Sequence, residues 1–327
     1  MRSLVLILLL AAPLAAQDFL GLAPQSKPLH TRYPVILAHG IMGFRAIQVG
    51  GVNVGNYFRG VEPYLRERGL TFACTNVGMT NAVEERARLL KAQIDTYFPD
   101  QKVNIIAHSL GGLDSRQMLT HLGMGSRVAS LTTVGTPHRG TWVADWTVRY
   151  VGQDMGVERL LHSLGVPLDA FVNLQTSWCA AFNQRTPDVP GVRYFSYGGT
   201  QPWYEITPPF IPFTWLIKIK EKTLAGEDLD VAQVALLRTT DWGRDLLKFA
   251  QAERARLALT PADPADAAAW RAYHGANDGL VPLRSTPWGE HHEVIGMDHL
   301  DQIGWLTTMD TPQLYEDIVQ GLIDKGL

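Results

Sequence analysis

Apolar positions along this chain follow two periods in turn, and their alternation predicts the architecture. Residues 34–38, Pro-Val-Ile-Leu-Ala, form a continuous apolar run of strand length, the pattern of a strand buried on both faces. A helix is expected over 61–68 and a strand over 71–77. In the next helix Val83, Ala87, Leu90 and Ile94 mark one face, and Asn81 with Glu84 has the form of a capping box. Strand 102–106 leads into a helix ending near Leu122, and 128–134 is again strand. Residues 141–184 read as helical and 192–197 as strand. Further strands are expected at 270–274 and 293–295. Strands alternating with helices imply a mostly parallel sheet covered on both faces. No polar linker divides residues 17–327, so one domain is expected, with an apolar cap or lid inserted over 141–230.

The segment 201–224 departs from both periods. Trp203, Tyr204, Phe210, Ile211, Phe213, Trp215, Leu216 and Ile217 are interleaved with Pro202, Pro208, Pro209 and Pro212. The prolines forbid a regular helix through its first half. Together with Trp142, Val143, Trp146, Val148 and Val151, these side chains are expected to present apolar surface to a lipid, membrane or protein. The alternative is that they pack on one another.

The 327 residues are 46% hydrophobic and 19% charged, enough to bury a large core. A formal charge of −3 with no basic run gives no reason to expect nucleic acid. Residues 1–16 have Arg2, an apolar run from Leu4 to Leu14, then Ala15-Ala16. That is the form of a secretory signal, and the run would reach only about 16 Å as a helix, short of a bilayer core of about 30 Å. A secreted or periplasmic destination is therefore expected. Cys74 and Cys179 have no ligand spacing, and a buried thiol suits Cys74 better than a disulfide.

The candidate chemistry centres on Ala107-His108-Ser109-Leu110-Gly111. A serine in a tight strand-to-helix turn needs small residues two positions to either side, and the pattern resembles a nucleophile elbow. Its hydroxyl needs a base, and the base an acid to orient it. Asp278 follows the expected strand at 270–274, and His299 follows the strand at 293–295. His39, His108, His138, His291 and His292 are rival bases. His108 is expected to point away from its neighbour's hydroxyl, His138 to be a satisfied loop histidine, and His291 with His292 a solvated pair. The N–H groups of Leu110 and Ile41 are candidate donors to an oxyanion.

Five ordered motifs carry a family resemblance: His39-Gly40-Ile41-Met42-Gly43-Phe44, residues 107–112, 135–140, 277–281, and Asp298-His299-Leu300-Asp301. Together they resemble the secreted triacylglycerol lipases of Pseudomonas and Burkholderia, over most of residues 33–315. The resemblance implies an α/β-hydrolase fold and the triad Ser109, Asp278 and His299. It also implies oxyanion donors at Ile41 and Leu110, and no organic cofactor. It further implies a structural calcium held by Asp263, Asp301 and the carbonyls of Trp305 and Met309, a donor set suited to a hard cation. Expected partners are an ester substrate at an oil–water interface and a folding chaperone. Arg284 stands where the family has a cysteine, so the family disulfide cannot form here, and 201–230 has no motif counterpart. A carboxylesterase or polyester depolymerase of the same fold is the competing enzyme. A non-catalytic lipid-binding protein is the reading from another class.

Overall fold

The computed structural model describes residues 27–41, 47–49, 52–78, 82–151, 171–225, 231–239 and 275–327, with 243–245, 247, 248, 251, 252 and 255. The signal-like residues 1–16, the expected strand 270–274, the candidate cap Asn81 and the candidate ligand Asp263 lie outside them.

Strand β1 (Val35–Ala38) is followed by the hairpin strands β2 (Ile47–Val49) and β3 (Val52–Gly55), then α1 (Val61–Glu67) and β4 (Phe72–Cys74). Helix α2 (Val83–Tyr97), β5 (Val103–His108), α3 (Leu110–His121) and β6 (Val128–Val134) continue the alternation. Then come α4 (Trp142–Val151), α5 (Thr176–Arg185), β7 (Arg193–Thr200), α6 (Ile211–Ala225), α7 (Val231–Arg238), β8 (Glu290–Ile295) and α8 (Thr311–Asp324). Six strands form one sheet in the order β4-β1-β5-β6-β7-β8, and every pairing is parallel.

The two-residue period of β1 and β5 explains why both sheet faces are covered. Val35, Leu37 and Ile106 face one way, into a cluster with Val61 and Leu65 of α1 and Tyr315, Ile318 and Val319 of α8. Ile36, Ala38, Ile105 and Ala107 face the other, against Ala87, Leu90 and Ile94 of α2 and Met118 and Leu119 of α3. A strand with apolar side chains on both faces must be sandwiched, which requires parallel crossovers.

The strand expected at 192–197 is present as β7 within the 141–230 segment and pairs with β6 and β8 in the central sheet, so that segment is not cap throughout. Its apolar helices do not form a free surface either. Val143 and Trp146 of α4 pack with Leu216, Ile217 and Ile219 of α6 and Leu237 of α7, leaving Trp203 and Tyr204 among the exposed large side chains. Mutual burial removes that apolar area from water more fully than one-sided contact would. The cap position of α2 is Ala82, with no side-chain cap, and the Val83 N–H is instead taken by Asn173 Oδ1 at 3.1 Å. Pro212 is the second residue of α6, a first-turn position where its missing N–H costs no helical bond. Cys74 and Cys179 are thiols not joined by a disulfide, and they belong to different clusters.

An ion pair ties α2, α3 and the end of β1 together. Arg86 Nε lies 2.8 Å from a carboxylate oxygen of Asp114, both side chains being buried. The guanidinium also donates to the carbonyls of His39 at 3.0 Å, Gly40 at 3.1 Å and Gly78. Burial pushes the Asp114 carboxyl up to about 7, against the pull of Arg86. Removing one partner leaves a buried group without its counter-charge. Arg86→Ala is therefore expected to cost about 3–5 kcal/mol in chemical denaturation; a loss below about 1 kcal/mol, as for an exposed pair, would show the pair is not structural.

Candidate active site

Ser109 joins β5 to α3 at φ 55° and ψ −129°, backbone that a residue with a side chain rarely adopts. Its N–H reaches the Val134 carbonyl at 2.9 Å, and its own carbonyl accepts from Thr136 Oγ1 at 2.7 Å and Gly112 N–H at 3.1 Å. Close approach explains the glycines. A Cβ on Gly111 would stand 2.7 Å from the His39 carbonyl oxygen, and one on Gly40 would stand 2.6 Å from Ser109 Cβ.

The structure brings Ser109, His299 and Asp278 into one hydrogen-bonded line. His299 Nε2 is 3.0 Å from Ser109 Oγ, and Nδ1 is 2.7 Å from Asp278 Oδ2. A carboxylate only accepts, so Nδ1 carries the proton and Nε2 offers its lone pair to the serine. Asp278 is fully buried, and its other oxygen accepts the N–H groups of Leu280 at 3.0 Å and Val281 at 2.7 Å. The His299 N–H donates to the Asp278 carbonyl at 2.8 Å, which joins the two loops.

Leu110 is the first helical residue of α3, and N–H groups of a first turn have no partner within their helix. Ile41 packs in the same cluster as Leu110. The peptide joining Gly40 to Ile41 is fixed through its carbonyl by Arg86 and by His39 Nδ1 at 2.9 Å. In a trans peptide N–H and C=O point oppositely, so the Ile41 N–H is directed away from Arg86.

The other histidines are engaged elsewhere. His39 Nε2 accepts the Val77 N–H at 3.1 Å, and burial lowers its pKa to about 4, with Arg86 adding to the effect. The Tyr57 hydroxyl accepts the Gly40 N–H at 3.0 Å, so it donates to His108 Nδ1 at 2.7 Å. The His108 ring thus turns toward Tyr57, its centroid 4.6 Å from that of His299, and burial holds it far below the usual histidine range. His138 stacks on Trp288 and meets Thr133 Oγ1 at 3.0 Å, a satisfied loop histidine. His291 and His292 are not a solvated pair: His291 meets Ser196 Oγ at 2.9 Å with its pKa lowered by burial to about 4, while His292 stacks on Tyr197.

Among relatives, Triacylglycerol lipase 2 of Saccharomyces cerevisiae is 29% identical over 262 residues, 76% of this chain and 62% of that protein. A triacylglycerol lipase of Vibrio cholerae is 31% identical over 214 residues, 55% of this chain and 66% of its own. One from Burkholderia plantarii is 37% identical over 123 residues, covering 36% of this chain and 32% of the relative. The chain thus spans less than two thirds of the length of these relatives. No family model matches it. The mature form of Bacillus licheniformis lipase BlEst2 superposes with a TM-score of 0.57 at 20% identity, covering 92% of this chain and 95% of that one. A metagenomic carboxyl esterase superposes at 0.60 and 15% identity, covering 92% and 79%. The chain has the α/β-hydrolase fold and is similar in sequence to bacterial triacylglycerol lipases.

Two buried residues of the site were not singled out as site residues by sequence pattern. Gln302 Nε2 donates to Asp278 Oδ2 at 3.0 Å, a second donor on the oxygen facing His299. Asp298 accepts the N–H groups of Leu300 at 2.8 Å and Asp301 at 2.9 Å on one oxygen, and that of Thr207 at 2.7 Å on the other. Their proximity to His299 in sequence was the available signal, but neither lies on a periodic face.

Of the expected calcium ligands, Asp301, Trp305 and Met309 are among the described residues and Asp263 is not. Asp301 is buried, its carboxyl raised by desolvation, and its Oδ2 already accepts the Asp298 N–H at 2.8 Å. The Met309 carbonyl accepts the Thr311 N–H at 3.0 Å, and Trp305 donates its backbone N–H to the Leu300 carbonyl at 3.0 Å and its indole N–H to the Tyr57 carbonyl at 2.9 Å. Among the described residues no three acidic, histidine or cysteine side chains converge on a metal position.

The buried neutral histidines His39, His108 and His138 and the half-buried His291 outnumber the carboxyls Asp114 and Asp301, whose raised pKa values act in the opposite sense, and so set the sign of the pH dependence. His39, His108 and His138 have folded pKa values depressed below 6.5, so at mildly acidic pH the unfolded chain binds protons that the folded chain refuses. Stability is present above about pH 6.5 and is lost as pH falls toward 4, by up to ~1.4 kcal/mol per pH unit for each fully buried ring. Urea denaturation from pH 7 to pH 5 is expected to show this decline, and His39→Gln to make it shallower; a flat profile would contradict the assignment.

Proposed function

We propose that this chain is a serine hydrolase that cleaves carboxylic esters of triacylglycerols through an acyl-enzyme on Ser109. The observation that carries the proposal is the line from Ser109 Oγ through His299 to buried Asp278. In this reading His299 Nε2 takes the serine proton as Oγ attacks the ester carbonyl, and Asp278 stabilises the imidazolium. The N–H groups of Leu110 and Ile41 receive the charge developing on the carbonyl oxygen. His299 then returns its proton to the leaving alcohol, and water repeats the sequence to release the acid. Gln302 and the Leu280 and Val281 N–H groups keep Asp278 oriented.

The relatives named triacylglycerol lipase support a lipid ester as substrate over a small soluble one. The test is hydrolysis of emulsified triglycerides against soluble esters across acyl lengths. Preference for long-chain emulsions is expected; turnover of short soluble esters alone would favour the carboxylesterase reading. Ser109→Ala is expected to fold normally and retain less than about a thousandth of the activity. Equal turnover by the variant would move the nucleophile elsewhere.

We extend the proposal to export from the cell, supported by the signal-like residues 1–16, and to calcium, supported by the sequence resemblance at Asp263 and Asp301. Removing bound calcium is expected to lower Tm, by the equivalent of about 2.7 kcal/mol if the ion was at a hundredfold excess over its Kd. An unchanged Tm in Asp301→Ala and in chelated wild type would eliminate the ion.

A further inference from the structure

The segment 201–217 makes directed contacts to both loops that carry the base and acid. Thr207 donates its N–H to Asp298 Oδ2 at 2.7 Å, and both residues are buried. The other Asp298 oxygen holds the N–H groups of Leu300 and Asp301, so one carboxylate spans the backbone on both sides of His299. On the acid side, Ile206 and Phe210 press on the turn after Asp278: a Cβ on Gly279 would lie 3.1 Å from each. Thr214 Oγ1 reaches Asn277 Oδ1 at 3.3 Å, and that oxygen also accepts the Gly279 N–H at 2.9 Å. The Gln201 N–H donates to the Asn277 carbonyl at 3.2 Å.

These contacts differ in kind from those expected of a movable cover. An apolar flap can slide because hydrophobic contact is non-directional. A buried carboxylate whose oxygens hold three N–H groups cannot release one without leaving a desolvated acceptor or donor unpaired. The proline-rich start of the segment folds as a turn closed by the Glu205 N–H on the Pro202 carbonyl and a 3-10 turn over Pro208–Phe210, and Thr207 between them, at φ −47° and ψ 125° before Pro208, is stiff. It presents the Thr207 N–H at little entropic cost.

We propose that residues 202–210 are a fixed wall of the active site, and that Asp298 is a positioning residue that holds His299 against that wall through the Thr207 N–H. The proposal rests on the hydrolase reading above, since a rate is its readout. His299 is fixed on three sides: by Asp278 at Nδ1, by the Asp278 carbonyl at its N–H, and by Asp298 around its backbone. Loss of the third allows the ring to drift from Ser109. Displacement of a reacting group by about 1 Å can cost a hundredfold in rate.

The experiment compares wild type, Asp298→Asn, Ile206→Ala and the double variant, with calcium present throughout and active sites counted by a fluorophosphonate. Asp298→Asn keeps the side-chain volume but exchanges one acceptor for a donor, so one of the N–H groups must go unpaired. With a soluble ester, kcat per active site is expected to fall about tenfold or more, with KM within about twofold. Exchange of the Thr207 amide should quicken. Ile206→Ala, which loosens the wall far from His299 in sequence, should also lower kcat, and the double variant should fall little further. A kcat per active site unchanged in Asp298→Asn would overturn the proposal, as would fully additive effects of the two substitutions. If Asp298→Asn does not fold, Ile206→Ala decides, and its unchanged kcat per active site is the overturning result. A wild type that takes no label would remove the hydrolase reading and this proposal with it; a labelled wild type with an indifferent Asp298→Asn removes only this one.

Discussion

The backbone of Ser109 is held at a positive φ, and much of the surrounding structure serves to keep it there. Such a conformation costs on the order of 1–3 kcal/mol and persists only when neighbours over-determine it. Here the Val134 carbonyl, the Thr136 hydroxyl and the Gly112 N–H fix the serine's own peptide groups, while Gly40 and Gly111 let β1 and α3 approach without a clash. The sheet matters to the site through this turn. Burial of β5 on both faces anchors one side of it, and the buried first turn of α3 anchors the other.

The polar groups beneath the site are arranged around the same turn. Tyr57 links the Gly40 N–H to His108, directly before the serine, and Arg86 holds the carbonyls of His39 and Gly40. Each is buried, so each polar group needs its partner. Their common consequence is a fixed orientation of the Gly40–Ile41 peptide, which the proposed oxyanion role of the Ile41 N–H requires.

Much of this was legible in the sequence because it has a period or a local steric signature. The buried strands at 35–38 and 128–134, the apolar face of α2 and the small residues around Ser109 belong to that class. The sequence left the cap's packing open because apolar composition is the same whether a helix faces oil or another helix. Val143 and Trp146 meet Leu216 and Ile217 across some seventy positions, a pairing that no local pattern carries. Asp298 and Gln302 were missed for a related reason: their roles come from Thr207 and Asp278, remote partners that only the folded chain supplies. The Asn173 contact to the Val83 N–H, which comes from ninety positions away, has no local signature either.

The central claim is that Ser109 is a nucleophile activated by His299. Its most direct test is reaction with a fluorophosphonate, followed by mass mapping of the adduct in wild type and His299→Ala. The account predicts one adduct per chain, on Ser109, formed about a thousandfold or more slowly without the histidine. An adduct on another residue, or a labelling rate indifferent to His299, would contradict it.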